Sequence, residues 1–195
     1  METPLRRNGV ISKKEHEAIR SLLRSGMVCD AWIVGGSLLR KDSKDIDVVV
    51  YIPNTLAAED FRQATRCNDI DLGGFDLLEI FDYYKNEDAD PVTSGKDIIV
   101  KLVHSDPEIR PVDLLVASFQ YAQLAGLGVL PIEAYMNRYF PFSIQCVACN
   151  VYNPDVVVDN SYSDSSSIIV SDRADQKYID KYKSYYPDKT FYRIV

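Results

Sequence analysis

Residues 46–52 read Ile-Asp-Val-Val-Val-Tyr-Ile and run directly into Pro53. β-Branched side chains are stiff about χ1 and suit a pleated surface, so this run is a strand, and the proline ends it. Three further apolar runs read the same way: Ala31 to Val34, which enters a Gly-Gly turn, then 98–103 and 112–117, which are separated by the polar turn Ser105-Asp106-Pro107-Glu108. Helices surround them. Ser12-Lys13-Lys14-Glu15 has the capping-box pattern, with Ile19, Leu22 and Leu23 following at helical spacing and Gly26 placed to close the helix, which predicts a helix over 13–25. Asn54 or Thr55 caps a second helix that runs to about 66.

The remainder is less regular. Residues 69–97 are acidic and rich in turn formers, and within them 75–84 fits a strand or a helix equally. Residues 119–125 and 131–139 read as helical, 143–152 as a strand, 159–167 as a polar loop, 168–170 as a short strand and 173–186 as a last helix. The order of elements places the chain in the α/β (α+β) class: a mixed sheet flanked by helices, with a small mixed C-terminal extension. The expected organisation is a core over residues 1–118, with residues 119–195 packed on it as one compact unit.

Composition narrows the function classes. The 195 residues are 46% hydrophobic, enough for a real core, and no run reaches the roughly 18–20 apolar residues that a membrane helix needs. The N-terminal Met1-Glu2-Thr3-Pro4-Leu5-Arg6-Arg7 lacks the apolar stretch of a secretory signal, so the expectation is a cytoplasmic protein with no membrane partner. A net charge of −7 argues against generic nucleic-acid binding, which rests on neutralising phosphates with Lys and Arg. Cys146 and Cys149 form a lone C-x-x-C without a second pair. On a strand, residues three apart face opposite sides, so they read as structural thiols and not as a metal site.

The chemistry is concentrated in residues 34–50. Gly35-Gly36-Ser37 ends a strand in a tight turn, where backbone N–H groups and a small hydroxyl can face phosphate oxygens. Asp45 and Asp47 are two apart at the start of the extended run, so both carboxylates point the same way. Two carboxylates on one face call for a counter-charge, and a divalent cation that also binds substrate phosphates supplies it. A third acidic residue, Asp113, opens the strand over 112–117, and if that strand lies beside the first, three carboxylates meet at one end of the sheet.

The wording Val-Gly-Gly-Ser-Leu-Leu-Arg followed by Lys-Asp-Ile-Asp-Val-Val-Val resembles the DNA polymerase β-like nucleotidyltransferase superfamily, most nearly the members that add CCA to tRNA and their small relatives, including small proteins on bacteriophage genomes. The resemblance covers about residues 13–118. It implies a nucleotidyltransferase-like sheet and transfer of a nucleoside monophosphate from a nucleoside triphosphate to a hydroxyl acceptor, with release of pyrophosphate. It also implies a Mg2+ or Mn2+ cofactor held by Asp45, Asp47 and Asp113, which are the catalytic residues, and a nucleotide-binding set of Gly35, Gly36 and Ser37. The acceptor it leaves open: a protein, a small molecule or a tRNA. Two departures stand out. The spacer between Gly-Gly-Ser and Asp45 is only seven residues, and the long RNA-binding helical domain of true CCA-adding enzymes is missing. These leave room for an inactive protein that keeps the fold and acts as a partner-binding or inhibitory protein.

Among cations available to clamp a triphosphate, Lys101 is favoured because its strand neighbours Asp113, ahead of Arg40, Lys41, Lys44 and Arg110. The other Asp-x-Asp pairs, Asp69/Asp71 and Asp88/Asp90, follow no Gly-Gly-Ser turn and read as solvated loop. Thr93-Ser94-Gly95-Lys96 lacks the first glycine of a phosphate loop. Tyr178, Tyr182 and Tyr185 lie at helical spacing and read as a packing stripe.

Overall fold

The computed structural model describes residues 10–25, 28–52, 55–67, 69–82, 98–117, 131–161, 165–172 and 174–194. The strand expected from the valine run is β2 (Ile46–Tyr51), and it lies near the middle of a seven-stranded mixed sheet. With β1 (Asp30–Val34), β3 (Phe75–Asp82), β4 (Ile98–His104), β5 (Val112–Ala117), β6 (Val147–Asn150) and β7 (Val157–Asp159), the strand order is β3-β4-β5-β2-β1-β6-β7. Only β2 and β5 pair in parallel. Every other neighbouring pair in this sheet is antiparallel.

Alternation along β2 divides the core into two layers. Ile46, Val48 and Val50 face a cluster that includes Ala18, Ile19 and Leu22 of α1 (Lys13–Leu22) and Phe61 of α3 (Thr55–Arg66). Val49 and Tyr51 face the other side, against Ile132, Tyr135 and Met136 of α4 (Pro131–Tyr139). α2 is a single turn, Gly36–Leu39, that follows β1. The period-2 pattern of strands and the period-3.6 pattern of helices are thus matched on both faces of one sheet.

Helix α1 begins as its sequence requires. The Ser12 hydroxyl accepts from the Glu15 N–H at 3.1 Å, and the Ser12 N–H donates to Glu15 Oε2 at 2.8 Å. The last turn of the expected helix tightens into a 3-10 turn at Leu23–Ser25. Residues 75–82, open between strand and helix, form the strand β3. The expected strand at 143–152 is shorter: Ser143–Gln145 form a 3-10 turn, and the strand occupies Val147–Asn150. Cys149 packs in one core layer and Cys146 in the other, and neither forms a disulfide. The helix expected at 119–125, the pair Asp88/Asp90 and the Thr93–Lys96 stretch lie outside the described residues.

The chain beyond residue 130 does two things. It completes the main sheet with β6 and β7, and it builds a small layer of its own from β8 (Ser167–Val170), α5 (Gln176–Tyr185) and β9 (Thr190–Arg193). Strands β8 and β9 pair in parallel, with α5 as their crossover. A third cluster (Phe142, Ile144, Ile168, Val170, Ala174 and Ile179) fastens this layer beside the turn after β1, with Leu39 packed against it. Neither β7 nor β9 carried a readable signal. Three or four residues among polar neighbours are too few to show a period.

Candidate active site

The site grows from the register of the central strands. Asp47 of β2 is the direct partner of Asp113 on the parallel strand β5, and Asp113 is in turn the partner of Lys101 on β4. Register partners on neighbouring strands share a face and lie about 4.8 Å apart in the hydrogen-bonding direction, so the two carboxylates and the ammonium form one row across three strands. Lys101 Nζ is 3.7 Å from Asp113 Oδ2. Asp45, one residue before β2, lies against the same cavity. The row continues the face covered by α4, but at its end the apolar layer gives way to a cavity of about 610 Å3.

The crowding has electrostatic consequences. Burial, with the charges of Asp45 and Asp113, pushes the Asp47 carboxyl up to about 7, while the ammonium groups of Lys101 and Lys181 pull the other way. Asp113 is also raised, by burial first and by Asp45, against the opposing pull of Lys101. Among the described residues, no group of three or more His, Cys, Asp and Glu side chains gathers closely enough to hold a metal ion by itself. The donor chemistry nevertheless fits a magnesium-like ion, which takes one or two protein carboxylates and completes its shell from water and substrate phosphates. A half-buried row of carboxylates concentrates negative charge that such an ion neutralises, and the raised proton affinity of Asp47 reflects that crowding.

The turn after β1 forms an adjoining wall. Gly35 sits at φ 67°, ψ −142°, a conformation that side chains other than hydrogen rarely adopt, and its N–H donates to the Val147 carbonyl at 3.0 Å. Gly35 and Gly36 line the cavity. Ser37 does not: its side chain is fully buried, and its hydroxyl donates to the Val34 carbonyl at 3.0 Å, tying the turn back onto β1.

Of the other cations read from the sequence, Lys101 and Arg40 reach the cavity. Arg110 does not line it. Its Nε donates to Glu15 Oε1 at 2.6 Å and its Nη2 to the Val10 carbonyl at 2.8 Å, which braces α1 against the loop before β5. Lys41 and Lys44 are exposed and lie away from the cavity lining.

The opposite wall was not legible in the sequence. It comes from Tyr139, Phe140 and Pro141 after α4, from Gln145, and from Asp175, Tyr178, Lys181 and Tyr182 at α5. The tyrosine stripe divides its work. Tyr182 stacks on Phe142 at 4.2 Å, as packing, whereas Tyr178 is 49% exposed and faces the cavity. The available signal was Lys181, which falls on the same helical face as Tyr178, Tyr182 and Tyr185 and interrupts an otherwise aromatic stripe.

No protein-family model matches the chain, and no curated protein sequence matches it. Among solved structures the chain is similar to a CCA-adding enzyme in complex with CTP, at 19% identity and a TM-score of 0.40, over 72% of this chain and 29% of that one. It is also similar to a tRNA-processing enzyme in an apo form, at 17% identity and a TM-score of 0.43, over 87% and 38% of the two chains. A third similar structure is the Thermotoga maritima CCA-adding enzyme complexed with tRNA, at 21% identity and a TM-score of 0.37, over 72% and 28%. This chain therefore spans 28% to 38% of the length of those proteins. Among the described residues, no helix is long and apolar enough to cross a membrane.

Proposed function

We propose that this protein is a divalent-metal-dependent nucleotidyltransferase that moves a nucleoside monophosphate from a nucleoside triphosphate to a hydroxyl acceptor. The observation that carries this reading is the row of Asp47 and Asp113 on adjacent parallel strands, with Asp45 beside them, at the floor of a cavity walled by the Gly35-Gly36 turn.

Asp45, Asp47 and Asp113 would hold Mg2+ or Mn2+ together with oxygens of the substrate phosphates, which complete the shell that the carboxylates alone do not. Such an ion, when bound, neutralises phosphate charge and lowers the pKa of the acceptor hydroxyl. The protein's own groups do the rest. The Gly35-Gly36 turn has no side chain to keep the triphosphate from the backbone. The acceptor oxygen forms a bond to the α-phosphorus, the bond from that phosphorus to the bridging oxygen breaks, and pyrophosphate leaves. The hydroxyl proton passes to Asp113, whose raised proton affinity suits a general base, and Lys101 at 3.7 Å balances the charge on that carboxylate in the ground state.

The acceptor is a protein hydroxyl, a small molecule or a tRNA end. The net charge of −7 favours the first two over a long RNA. The test is incubation with Mg2+ or Mn2+, each α-labelled nucleoside triphosphate in turn, and cell extract, comparing the wild type with an Asp45→Ala/Asp47→Ala variant. Label transferred by the wild type alone identifies the acceptor class. Absence of both transfer and metal-dependent nucleotide binding sinks the reading, and a stable partner complex indifferent to the Asp45→Ala change would point instead to a binding or inhibitory protein.

A further inference from the structure

Strand β3 carries a bulge that brings an acid to Lys101. Leu77 pairs with Leu102 and Glu79 with Lys101, so Leu78 is an extra residue in the ladder. Regular pairing would set Leu78 against Lys101. The bulge leaves Leu78 62% exposed and puts Glu79 opposite the lysine instead. The core records the same shift. Leu77 and Ile80, three apart, both pack in the layer under α1 and α3, which unbroken alternation would forbid, and Glu79 is left on the face of Lys101. Bulges beside active sites commonly re-aim a side chain in this way.

Register pairing therefore joins Asp47 of β2, Asp113 of β5, Lys101 of β4 and Glu79 of β3 in one row. Exposure rises along it. The Asp113 side chain is 17% exposed and that of Lys101 40%, while Glu79 is exposed and stands outside the cavity lining. Lys101 thus has a carboxylate on each side, one within the cavity and one beyond it. Its Nζ lies 3.7 Å from Asp113 Oδ2, a loose ion pair longer than a hydrogen bond, and a lysine stem is flexible enough to redirect its donors. The Asp113 carboxyl feels both neighbours: burial raises it most, Lys101 opposes, and the charges of Asp45 and Glu79 add to the rise. A divalent ion beside Asp113 and the ammonium would repel each other at this range, and Glu79 offers the ammonium an acceptor on the next strand.

We propose that Lys101 is the built-in counter-ion of Asp47 and Asp113 when no metal is bound, and that Glu79 is the positioning residue that takes its ammonium in the metal-bound protein. The metal itself rests on the nucleotidyltransferase reading above. Lys101 competes with the divalent ion for Asp113, and Glu79 weakens that competition. Through Glu79 the bulge of β3 belongs to the site, although β3 lies beyond β4 from the carboxylates.

The test is titration of the full chain with Mn2+ in the absence of nucleotide, read by the electron paramagnetic resonance of free Mn2+ and by thermal melts. Lys101→Met, which keeps the stem and removes the charge, is expected to tighten Mn2+ by about tenfold, the order of effect of one nearby like charge, and to lower Tm in EDTA. Glu79→Gln is expected to weaken Mn2+ about threefold, the scale of an exposed ion pair. In Lys101→Met/Glu79→Gln the second change should add nothing, because Glu79 acts through the ammonium. Glu17→Gln, which removes an exposed acid from α1 on the opposite face of the sheet, should match wild type. Mn2+ affinity unchanged or weakened by Lys101→Met overturns the proposal, as does a Tm in EDTA that does not fall, or absence of Mn2+ binding in every variant. Wild-type affinity in Glu79→Gln, or an equal loss with and without Lys101, removes the positioning role. Lys101-dependent Mn2+ binding in a protein that transfers no nucleotide would keep the counter-ion and remove the catalytic reading. Nucleotide transfer with Mn2+ affinity indifferent to Lys101 would do the reverse.

Discussion

Asp47 and Asp113 are register partners on the only parallel strand pair of the seven-stranded sheet, so two carboxylates are forced onto one face at adjacent positions. Sequence neighbours alone do not create this. The crossover from β2 to β5 passes through α3, β3 and β4 before β5 returns beside β2. The topology thus stores unfavourable like-charge contact at one end of the sheet, where a bound cation can relieve it.

That stored repulsion sets a stability prediction for Asp47. Its folded-state value of about 7 lies above the 3.8 of an ordinary Asp, so between those values the folded chain binds more protons than the unfolded one. The contribution of this group to stability therefore falls as pH rises from about 4 to 7, and above 7 the full penalty applies. Asp47→Asn is expected to raise stability at pH 8 in EDTA by on the order of 1 kcal/mol or more, about 2–4 °C in Tm per kcal/mol for a chain of this size, and to abolish nucleotide transfer. Excess Mg2+ should narrow the gap by stabilising the wild type only. Thermal melts of both proteins with and without Mg2+ decide it, and a less stable Asp47→Asn in EDTA would show that the carboxylates are not repelling one another.

The brace between Glu15 and Arg110 gives a second prediction of opposite pH sign. Burial acts to raise the Glu15 carboxyl, but the Arg110 guanidinium and the Ser12 N–H outweigh it and hold the group below its ordinary value of 4.5. The stabilisation is therefore fully present above about pH 4.5 and is lost as pH falls through the lower folded-state value. Arg110→Ala leaves the nearly buried Glu15 unpaired and is expected to cost about 3 kcal/mol at pH 7, with a smaller cost at pH 3. Urea titrations at the two pH values measure it. An equal loss at both would mean that packing of the arginine stem, and not the ion pair, supports α1.

Gly35 offers a local test of the turn. At φ 67° and ψ −142° an alanine is strained although there is space for its methyl group, the nearest atom being the Gln145 carbonyl oxygen at 4.0 Å. Gly35→Ala is expected to cost about 1–3 kcal/mol through the backbone alone. Gly36→Ala, with an ordinary φ and only the Arg40 guanidinium at 3.9 Å, should cost much less. Chemical denaturation of the pair separates backbone strain from crowding, and equal losses would contradict the assignment.

How much of this was legible in the sequence depended on whether a signal was local. Asp45 and Asp47 announced themselves because strand alternation makes i and i+2 neighbours, and Asp113 because a lone acid opens an apolar strand. Lys101 was favoured for lying near Asp113, and the antiparallel register of β4 and β5 puts it directly opposite. Ser37 had the right position in the chain, but which way a hydroxyl turns in a one-turn helix depends on its acceptors, and the Val34 carbonyl takes it. Arg110 and Arg40 looked equivalent as isolated cations. Glu15, 95 residues away, claims the first, and the second meets Tyr185 on a helix that only tertiary packing brings to the site. The α5 wall was hidden because tyrosines at helical spacing satisfy a packing explanation, and Tyr182 does pack.

The last prediction concerns how α5 is held there. Phe142 is fully buried, stacks on Tyr182 at 4.2 Å and stands edge-on to Phe191 at 6.5 Å, and its backbone bridges to Val170. One aromatic side chain thus joins the 3-10 turn before β6 to α5, β8 and β9. Phe142→Ala removes that joint and is expected to cost about 3–5 kcal/mol, the usual range for a buried phenylalanine. The loss should be uneven, because the seven-stranded sheet keeps both of its own core layers. Hydrogen exchange is expected to accelerate across residues 167–194 while β1, β2 and β5 stay protected, and nucleotide affinity should fall with the loss of the α5 wall. Uniform acceleration over both sheets would instead make the C-terminal layer an inseparable part of one cooperative unit, with Phe142 supporting the whole of it.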